Sequence, residues 1–443
     1  MTQTNPFDRT IEGPDARSVL QTPHSRTLSH RYLRLLLVAT AIVACLFVIR
    51  SAAAFGFSRL LATYSLTARN LSAAQKAVGL TPKDAEAHFA HAVVLSMSDT
   101  PGQSVTELEQ AVALRPADYT LWQQLGLLRD QTGDTTAALA AFDEAVKRAP
   151  FYSQPRWNRG NVLLRNGQYE AAFNDLNQAA QSNPELIPSL IDLAWGLSRG
   201  DVKLTEQLAQ IKGDWMRIAF AKLLARHGKA PEAIAQFSGA GNVPEAIRRE
   251  LTDQLLAKGA FKEAFAIWKG ATRLNAEKEP AGPSIYDGGF EGSLSFGEGG
   301  FGWRVTRDLQ ATSVSLDSSQ PHSGSKNLRI EFSGNSNPSV SQLLLLEPSK
   351  RYKINFASRS QDVVTGGLPL LVVSDAAGDL KRLGQSQPLA KDTTNWQLFS
   401  FEFTTTPTTS AVVLSLQREG CTTSPCPIFG SVSLDSFSVE QLR

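Results

Sequence analysis

Four prolines recur at 34-residue intervals in the central part of the chain, at Pro82, Pro116, Pro150 and Pro184. A fixed period of this length predicts one helical hairpin that is repeated and stacked. Proline cannot continue a helix, so each of these residues is expected to end the second helix of a hairpin. The spacing therefore restricts this region to an α-solenoid, an architecture that holds a partner and performs no chemistry by itself.

Two of the repeated units carry further matching positions. In the unit that ends at Pro150 these are Trp122, Leu125, Gly126, Gly133, Ala138, Phe142 and Ala145. In the unit that ends at Pro184 they are Gly160, Gly167, Ala172, Leu176 and Ala179. These residues resemble the tetratricopeptide repeat in both spacing and type. The resemblance implies hairpins in which small residues let two helices approach and large apolar residues fill the gap.

The same pattern extends weakly to both sides of these two units. The segment Ala85–Pro116 fits the register loosely, and Thr67–Pro82 reads as the second helix of a unit whose first helix continues from an apolar segment. After Pro184, Asp214–Phe237 and Pro244–Ala271 read as diverged hairpins. We therefore predict a solenoid over residues 55–275 with about six hairpins, since terminal repeats of such arrays diverge.

The resemblance to tetratricopeptide repeats also implies a concave groove that is lined by the first helix of each hairpin and binds a protein partner. In the register of the two clear units, the groove-facing candidates are Gln123, Leu127, Gln131, Trp157, Asn161 and Arg165. Trp157 lies one place past the position where the repeat normally has its aromatic residue, so it is a candidate anchor for a peptide. The alternative is that the register slips locally and Trp157 is a core residue.

Two histidines, His88 and His91, stand in the loosely fitting unit where large apolar residues belong. They are one helical turn apart, a spacing that also suits two metal ligands. The sequence offers no third ligand nearby, so we interpret them as packed or edge residues of an irregular repeat.

The segment Leu35–Ile49 contains no charged residue. With its flanks it is long enough to cross a bilayer, and arginines at both edges can reach the headgroups. We therefore predict a single transmembrane helix at residues 32–54, which follows a tail at residues 1–31. Three alternatives stay open: a buried helix of a soluble protein, a signal-peptidase site at Ala52–Ala54, and a lipoprotein cleavage box at Ile42–Cys45.

The two cysteines Cys421 and Cys426 indicate the compartment of the main body. A close pair in a turn-rich stretch predicts a small disulfide, which suits an oxidising compartment, although two unpaired thiols remain the alternative. A zinc site is disfavoured because no further ligands lie near the pair. Arginines flank the apolar segment on both sides, so the positive-inside rule hardly decides the orientation. We predict an inner-membrane protein with a cytoplasmic tail and a periplasmic or extracellular body after residue 55.

The sequence changes character across residues 276–284, a polar and proline-rich stretch that predicts a linker. Beyond it, alternation of apolar and polar residues replaces helical spacing. The segments concerned are Leu328–Phe332, Tyr352–Phe356, Phe399–Phe403, the second half of Val412–Leu416, and the wholly apolar Leu370–Val373. Short strands separated by turns predict an antiparallel β-sandwich over residues 285–443. The predicted fold class is thus multidomain, α then β.

The order of motifs in the C-terminal region supports a second resemblance. The motifs are Asp287–Glu291, Trp303, Ser323–Ile330, Tyr352–Arg359, Trp396–Phe403 and Ser433–Phe437. Together they resemble the galactose-binding-type jelly roll of carbohydrate-binding modules, which implies a carbohydrate ligand. The resemblance also implies a structural calcium ion near the first and last strands, with Asp287, Glu291 and Asp435 as ligands. Carboxylate oxygens are ligands that suit calcium.

Sugar binding needs an exposed aromatic ring that is surrounded by hydrogen-bonding groups. Trp303 and Trp396 are the aromatic residues least committed to an alternating core face. The polar residues on or beside strands are Arg304, Arg359, Gln397, Gln417 and Arg418. These seven residues form the predicted glycan site. The alternative is that both tryptophans are core residues and the polar groups are only solvated.

The sequence carries no recognisable catalytic motif. The six histidines are scattered, and there is no nucleophile elbow, phosphate loop or metalloprotease motif. The net charge of +2 implies no basic surface, so nucleic acid is not an expected partner. The leading hypothesis is a non-catalytic, membrane-anchored scaffold for polysaccharide assembly or export. The alternatives are a pure protein–protein hub with a structural sandwich and an accessory protein of a glycan-processing enzyme.

Overall fold

The structure is a computed structural model. It describes residues 27–97, 101–241, 243–271, 284–296, 300–306, 311–335, 340–377, 380–421 and 424–443. The predicted tail lies outside the described residues up to position 26, and the predicted linker lies outside them up to position 283. The chain divides after Leu176 into two compact units.

The first unit is built from helical hairpins. Its helices are α1 (Thr27–Ala68), α2 (Leu71–Leu80), α3 (Ala85–Ser96), α4 (Pro101–Leu114), α5 (Tyr119–Gln131), α6 (Thr135–Arg148), α7 (Ser153–Arg165) and α8 (Tyr169–Ser182), the last of which crosses the unit boundary. Helix α1 contains the whole apolar segment and is unbroken, and its last turns pair with α2. Among the described helices, it is long and apolar enough to cross a membrane.

Side-chain caps explain where several of these helices begin. The carboxylates of Asp84, Asp118 and Asp134 precede α3, α5 and α6, and each accepts a hydrogen bond from a backbone N–H two or three residues further on. Such a cap satisfies one of the donors that a helix leaves unpaired at its start. Gly133, with φ of 84°, supplies the left-handed turn between α5 and α6.

Glycine allows the two helices of a hairpin to touch. A Cβ atom at Gly126 would lie 2.8 Å from the ring of Phe142, and one at Gly160 would lie 2.8 Å from Cγ of Leu176. We expect Gly126→Ala to lower the free energy of unfolding by about 1–3 kcal/mol, because the buried ring must shift. Chemical denaturation followed by far-UV circular dichroism measures this change. Gly79→Ala is the matched control, since a Cβ there meets nothing within 4 Å; an equal loss in both variants would contradict the packing argument.

The second unit begins with further hairpins. A 3-10 turn (Pro184–Leu186) leads into α9 (Ile187–Leu197), α10 (Val202–Leu208), α11 (Asp214–Arg226), α12 (Ala230–Ser238), α13 (Glu245–Ala257) and α14 (Phe261–Ala271). With the end of α1 counted, the described helices form seven pairs instead of the predicted six. The prediction missed the α9–α10 hairpin because α10 has only seven residues.

Two sheets follow and form the predicted sandwich. Their strands are β1 (Ser295–Phe296), β2 (Arg304–Val305), β3 (Thr312–Asp317), β4 (Asn327–Gly334), β5 (Val340–Leu345), β6 (Arg351–Thr365), β7 (Pro369–Asp375), β8 (Arg382–Gln385), β9 (Gln397–Thr404), β10 (Ala411–Arg418) and β11 (Ile428–Leu442). The six-stranded sheet has the order β1-β2-β5-β10-β7-β8, and the five-stranded sheet has the order β3-β4-β11-β6-β9. All pairs are antiparallel except β1–β2.

The alternation in the sequence gives each sheet an inner and an outer face. On β4, Leu328, Ile330 and Phe332 are buried in the core between the sheets, while Arg329 and Glu331 lie on the outer face. Successive side chains of a strand point to opposite faces, so this pattern follows from the sequence. Strand β7, which contains the wholly apolar segment Leu370–Val373, is buried along its full length.

Aromatic residues join the last helix to the sandwich. The ring of Trp268 on α14 lies 5.0 Å from that of Tyr286 and 5.7 Å from that of Phe301, and Phe265 lies 5.0 Å from Phe301. At Gly300 a Cβ atom would lie 2.6 Å from Trp268. We call these four rings the α14 aromatic cluster. The final hairpin and the sandwich therefore share a packed interface within the second unit.

Candidate functional site

A polar row crosses the outer face of the five-stranded sheet. The strand register places Ser315 of β3 opposite Arg329 of β4, Arg329 opposite Ser433 of β11, and Ser433 opposite Arg359 of β6. Trp396, directly before β9, continues the row, because the guanidinium carbon of Arg359 lies 5.4 Å from its ring centroid. Five neighbouring strands at about 4.8 Å spacing make this row about 19 Å long.

The central strand of this sheet has small side chains on its outer face. Ser431 and Ser433 lie on β11 and are 6% and 3% exposed. Ser433 has Arg329 and Arg359 on either side, and Ser431 has Glu331 and Gln361. A cleft of about 610 Å³ opens next to this floor. Its lining residues are Ala311, Thr312, Ser313, Arg329, Glu331, Phe332, Ser333, Gln361, Asp362, Gly430 and Ser431. We call the cleft and the polar row together the serine groove.

The groove offers both hydrogen-bond donors and acceptors. Arg329 donates through Nε to Glu331 Oε1 at 2.8 Å, and its Nη1 lies 3.9 Å from Asp317 Oδ2. Hydrogen bonds from the backbone N–H and hydroxyl of Ser319 hold the pKa of Asp317 below its usual value, and the charges of Arg329 and Arg359 add to this effect. Asp317 therefore remains an acceptor at neutral pH, and the positive and negative groups of the groove largely balance.

Trp396 lies at one end of the serine groove and is held by its polar edge. Its indole N–H donates to the backbone oxygen of Gln320 at 3.1 Å, and the Gln320 side chain accepts a hydrogen bond from Arg359. The ring of His322 is 5.6 Å from the indole. The indole is thus half-exposed and held in place by Gln320, His322 and Arg359, and its role in glycan binding stays a prediction. Phe429, near the start of the central strand β11, is 48% exposed.

The prediction for the other tryptophan, Trp303, is wrong. Trp303 is 5% exposed and its ring centroid lies 4.9 Å from those of Phe290 and Phe437, inside the core. Its indole N–H donates to the backbone oxygen of Asp287 at 3.0 Å. A buried indole with a satisfied N–H is a packing residue, so it offers no ring face to a ligand.

Three more predicted glycan residues do not lie with Trp396. Arg304, Gln417 and Arg418 belong to β2 and β10 of the six-stranded sheet, whereas Arg359 belongs to the five-stranded sheet. Arg304 instead interacts with Asp253 of α13. Burial raises the pKa of the Asp253 carboxyl, and the positive charge of Arg304 partly offsets this rise. The structure thus brings together Arg359 and Trp396. Gln397 begins β9 with the parity of the core residues Phe399 and Phe401, so it belongs to the opposite face of the sheet from Trp396.

Gln417 and Arg418 have local partners in the fold. Gln417 accepts a hydrogen bond from Arg382 at 3.2 Å. Arg418 donates to the backbone oxygens of Gly367 and Cys426 at 3.1 and 2.9 Å, next to the disulfide that joins Cys421 and Cys426. Burial lowers the pKa of the Arg418 guanidinium. These contacts make Arg418 a clamp on the disulfide loop and not a ligand for sugar.

The three predicted calcium ligands all accept hydrogen bonds from backbone N–H groups. Asp287 binds the amides of Glu291 and Gly292, Glu291 binds those of Ser325 and Lys326, and Asp435 binds those of His322 and Ser323. Oxygens that face N–H donors are a poor fit for a cation. In the described part of the chain, no three His, Cys, Asp or Glu side chains are grouped to hold a metal. The calcium ion stays a prediction.

The predicted partner-groove residues lie on α5 and α7. Leu127 packs against a buried cluster around Phe142, and Arg165 pairs with Asp130 at 2.5 Å, so these two positions are partly used within the array. Gln131 is exposed, while Gln123, Trp157 and Asn161 are half-buried. The carboxamide oxygen of Gln123 is buried without a hydrogen-bond partner. The role of this face as a partner groove remains a prediction.

Sequence reasoning missed a second candidate for protein binding, in the second unit. A pocket of about 380 Å³ lies between the first helices of three hairpins, α9, α11 and α13. Its residues include Ile187, Ile191, Ile218 and Ile247, and Trp215 at its rim is 62% exposed. The available signal was Trp215 itself, a large aromatic residue at the start of the diverged hairpin Asp214–Phe237.

His88 and His91 are packed against a shared partner, as interpreted from the sequence. His88 Nδ1 lies 2.6 Å from Glu107 Oε2, and His91 Nδ1 lies 3.2 Å from Glu107 Oε1. His88 Nε2 also lies 2.9 Å from the backbone oxygen of Pro82. The pair therefore links α3 to α4 inside the first unit.

Family models match part of the helical region and most of the sandwich. The tetratricopeptide repeat model matches residues 100–153 and 123–187, and a carbohydrate-binding domain model matches residues 282–425. Both are non-catalytic kinds of domain. The repeats are protein-interaction repeats, which agrees with the helical hairpins. The second match covers β1 to β10 of the sandwich and ends before β11.

Individual relatives cover only parts of the chain. Protein FlbA of Caulobacter vibrioides is 30% identical over 101 residues, which is 23% of this chain and only 17% of the relative. A solved CBM4 module is 15% identical and covers 36% of this chain and 100% of the module, with a TM-score of 0.28. A MamA structure from Desulfovibrio magneticus is 14% identical and covers 36% of this chain and 92% of that protein, with a TM-score of 0.31. The family models carry the assignment: the chain contains tetratricopeptide repeats, followed by a carbohydrate-binding domain.

Proposed function

We propose that this protein is a membrane-anchored scaffold of a bacterial cell envelope that binds glycan in the serine groove and a protein partner on its repeats. It acts in the assembly or export of a polysaccharide and performs no catalysis of its own. The observation that carries the proposal is the row Ser315–Arg329–Ser433–Arg359, which ends at Trp396.

The chemistry of the serine groove favours a polyhydroxylated chain as its ligand. Sugar hydroxyls are donors and acceptors at once, and the groove alternates guanidinium donors with carboxylate and amide acceptors. The cleft of about 610 Å³ leaves room for sugar units on the outer face of the sheet, and the indole at the end of the row supplies an apolar stacking surface. Because the charges of the groove balance, it suits a neutral glycan better than a strongly acidic one.

The membrane anchor in this proposal is α1. Its apolar residues are exposed along the segment that would cross the bilayer, for example Leu36 at 62% and Ile49 at 63%. An apolar helix face of this length without protein around it is stable in lipid and costly in water. The disulfide Cys421–Cys426 supports a body in an oxidising compartment, with the tail in the cytoplasm.

The repeats supply the protein-binding part of the scaffold. The apolar pocket at Trp215 is the stronger of the two candidate surfaces, because it combines a cavity with an exposed aromatic rim. Such a pocket suits an apolar anchor of a partner, which gains most of its binding energy from a few buried side chains. Lys222 and Glu250, which pair across the pocket lining at 2.5 Å, supply polar groups for orientation.

Affinity gel electrophoresis of the full-length protein in detergent tests the glycan part. We expect a panel of neutral bacterial polysaccharides in the gel to include at least one that retards the protein, with retardation reversed by the same polymer added free. A reference protein of similar size without a carbohydrate-binding domain controls for sieving. The absence of retardation by every polymer would favour the protein–protein hub, and turnover of a glycan by the purified protein would contradict the non-catalytic proposal.

A further inference from the structure

The membrane-spanning segment enters the repeat array without a break in its helix. The predicted span ends at residue 54, and Ser58, four residues later on α1, is fully buried against the array. Four residues of helix correspond to about 6 Å. The headgroup layer on each side of the hydrocarbon core is about 5–7 Å thick. The first packed residue of the array therefore lies at the level of the headgroups.

The returning helix α2 brings the first turn between hairpins to the same level. Ser58 Oγ lies 2.6 Å from Thr81 Oγ1 and donates to the backbone oxygen of Ala77 at 2.9 Å. The next residue of α1, Arg59, contacts Asp84 Oδ2 through Nε at 3.4 Å. The turn at residues 81–84 is thus held beside the part of α1 that emerges from the bilayer.

Side-chain contacts connect the next two turns between hairpins to the first. Arg115 donates through Nη2 to Asp84 Oδ1 at 3.3 Å, Arg148 donates to the backbone oxygen of Pro116, and the rings of Tyr119 and Tyr152 are 5.0 Å apart. Consecutive helices run in opposite directions, so the turns at residues 81–84, 115–118 and 149–152 all lie at one edge of the array. We call these three turns the proximal edge.

The proximal edge exposes aromatic and aliphatic side chains. Phe151 is 87% exposed, the largest value for a large apolar residue in the described part of the chain, and Tyr152 next to it is 58% exposed. Leu80 and Leu114, which end α2 and α4, are 43% and 37% exposed. Tyrosine and tryptophan are enriched at the interface between a bilayer and water. Phenylalanine and leucine are typical of apolar faces that are buried at headgroup level. Phe151 has no packing role that would explain its position.

The charges around the proximal edge largely cancel. Asp84 pairs with Arg59 and Arg115, and Arg115 also pairs with Glu86. Glu144 pairs with Lys147 and Arg148. With Lys83 and Asp118 of the turns included, five basic residues stand against four acidic ones. Attraction to anionic lipid is therefore not the force that would hold this edge on a membrane. Burial of aromatic surface in the headgroup layer is the remaining source of affinity, and it depends little on salt.

The opposite edge of the array differs in composition. Its turns at residues 132–134 and 166–168 consist of polar residues and glycine. Among the described residues near this edge, Tyr64, Met97 and Tyr169 are exposed, at 52%, 56% and 47%, against 87% for Phe151. Helix α5 connects the two edges, and its 13 residues span about 20 Å. The two ends of α5 therefore provide a matched pair of positions, one at each edge.

We infer that the proximal edge rests on the bilayer, with Phe151 and Tyr152 inserted at headgroup level, and that this second contact fixes the array side-on to the membrane. The inference depends on α1 being the membrane anchor of the proposed function. With both contacts in place, the array cannot swing about its anchor. The surfaces formed by the first helices then keep a constant orientation relative to the membrane.

Site-directed fluorescence of the full-length protein in lipid vesicles tests this contact. A probe is attached at Ala117→Cys or at Thr132→Cys, two exposed turn residues at the opposite ends of α5, in a Cys45→Ser background with the disulfide intact. We expect a spin-labelled lipid with its nitroxide at the headgroup to quench the probe at 117 about threefold more than the probe at 132, since interfacial insertion is only 5–10 Å deep. The double variant Phe151→Ser, Tyr152→Ser is expected to remove this difference, and added salt is not.

A third probe on the native Cys45 separates the inference from the proposal on which it rests. A probe there is expected to be quenched by a nitroxide deep in the acyl chains, because residue 45 lies within the predicted span. If Cys45 is quenched and the probes at 117 and 132 respond equally, the membrane contact of the proximal edge is wrong and the anchor stands. If Cys45 is not quenched, the anchor is wrong and the inference fails with it. A difference between 117 and 132 that survives loss of both aromatic residues would also overturn the inference.

Discussion

Trp396→Ala is expected to weaken glycan binding about 30-fold, a loss of about 2 kcal/mol. The substitution removes the stacking surface at the end of the serine groove and also the ring against which Arg359 is placed, 5.4 Å from its centroid. Affinity electrophoresis or calorimetry with the polysaccharide that retards the wild-type protein measures the loss. The side chain lies outside the buried core, so the melting temperature of the protein should be almost unchanged.

The control for Trp396→Ala is Trp215→Ala. Trp215 is also an exposed tryptophan, 62% accessible, but it lies at the pocket between α9, α11 and α13 and not on the sandwich. We expect Trp215→Ala to bind the same polysaccharide with wild-type affinity. Equal binding by the wild-type protein and Trp396→Ala would remove the serine groove as the glycan site, and an equal loss in both tryptophan variants would indicate a non-specific effect.

The other tryptophan of the sandwich is expected to behave in the opposite way. Trp303→Ala removes a buried indole that packs against Phe290 and Phe437 and donates a hydrogen bond to Asp287. Replacing a buried tryptophan by alanine typically costs about 3–5 kcal/mol. For a sandwich of this size, the loss corresponds to a fall of about 10 °C in melting temperature. A thermal melt followed by near-UV circular dichroism measures it.

Trp303→Phe separates packing from the hydrogen bond. Phenylalanine keeps most of the buried ring and loses only the N–H donor, so we expect the cost to fall to about 1–2 kcal/mol. Polysaccharide binding should persist in this variant at temperatures where it is folded. A Trp303→Ala protein that melts like the wild type but no longer binds glycan would show that the indole contacts ligand, and the assignment of Trp303 to the core would be wrong.

The sequence predicted those parts of the fold that depend on short-range pattern. The positions of Gly126 and Phe142 in the repeat follow from the 34-residue period, and they touch in the structure as the resemblance implied. The alternation Leu328–Phe332 likewise predicted which residues of β4 face the core. Both patterns reflect how a helix or a strand presents its own side chains, so they need no knowledge of distant parts of the chain.

The glycan site was only partly predictable because it depends on pairing between distant strands. Arg329 and Arg359 belong to one row only through Ser433 on β11, and no local pattern gives that register. Trp303 and Trp396 both lie beside strands, and the sequence around them does not distinguish a core position from a surface one. The available signal was Arg329, because it is a polar residue within the predicted strand Leu328–Phe332 and so must lie on the outer face of the sheet.

The α14 aromatic cluster makes the last repeat and the sandwich depend on each other for burial of apolar surface. Solenoids usually end in a helix with a polar outer surface, which shields the last repeat from water. Here Phe265 and Trp268 on the last helix meet Tyr286 and Phe301 of the sandwich instead. The sandwich thus covers the last helix of the array in place of a polar capping helix. Neither part is therefore an independent domain that could be exchanged without changing the other. A truncation between α14 and the sandwich would expose aromatic side chains on both fragments, and such fragments would tend to aggregate.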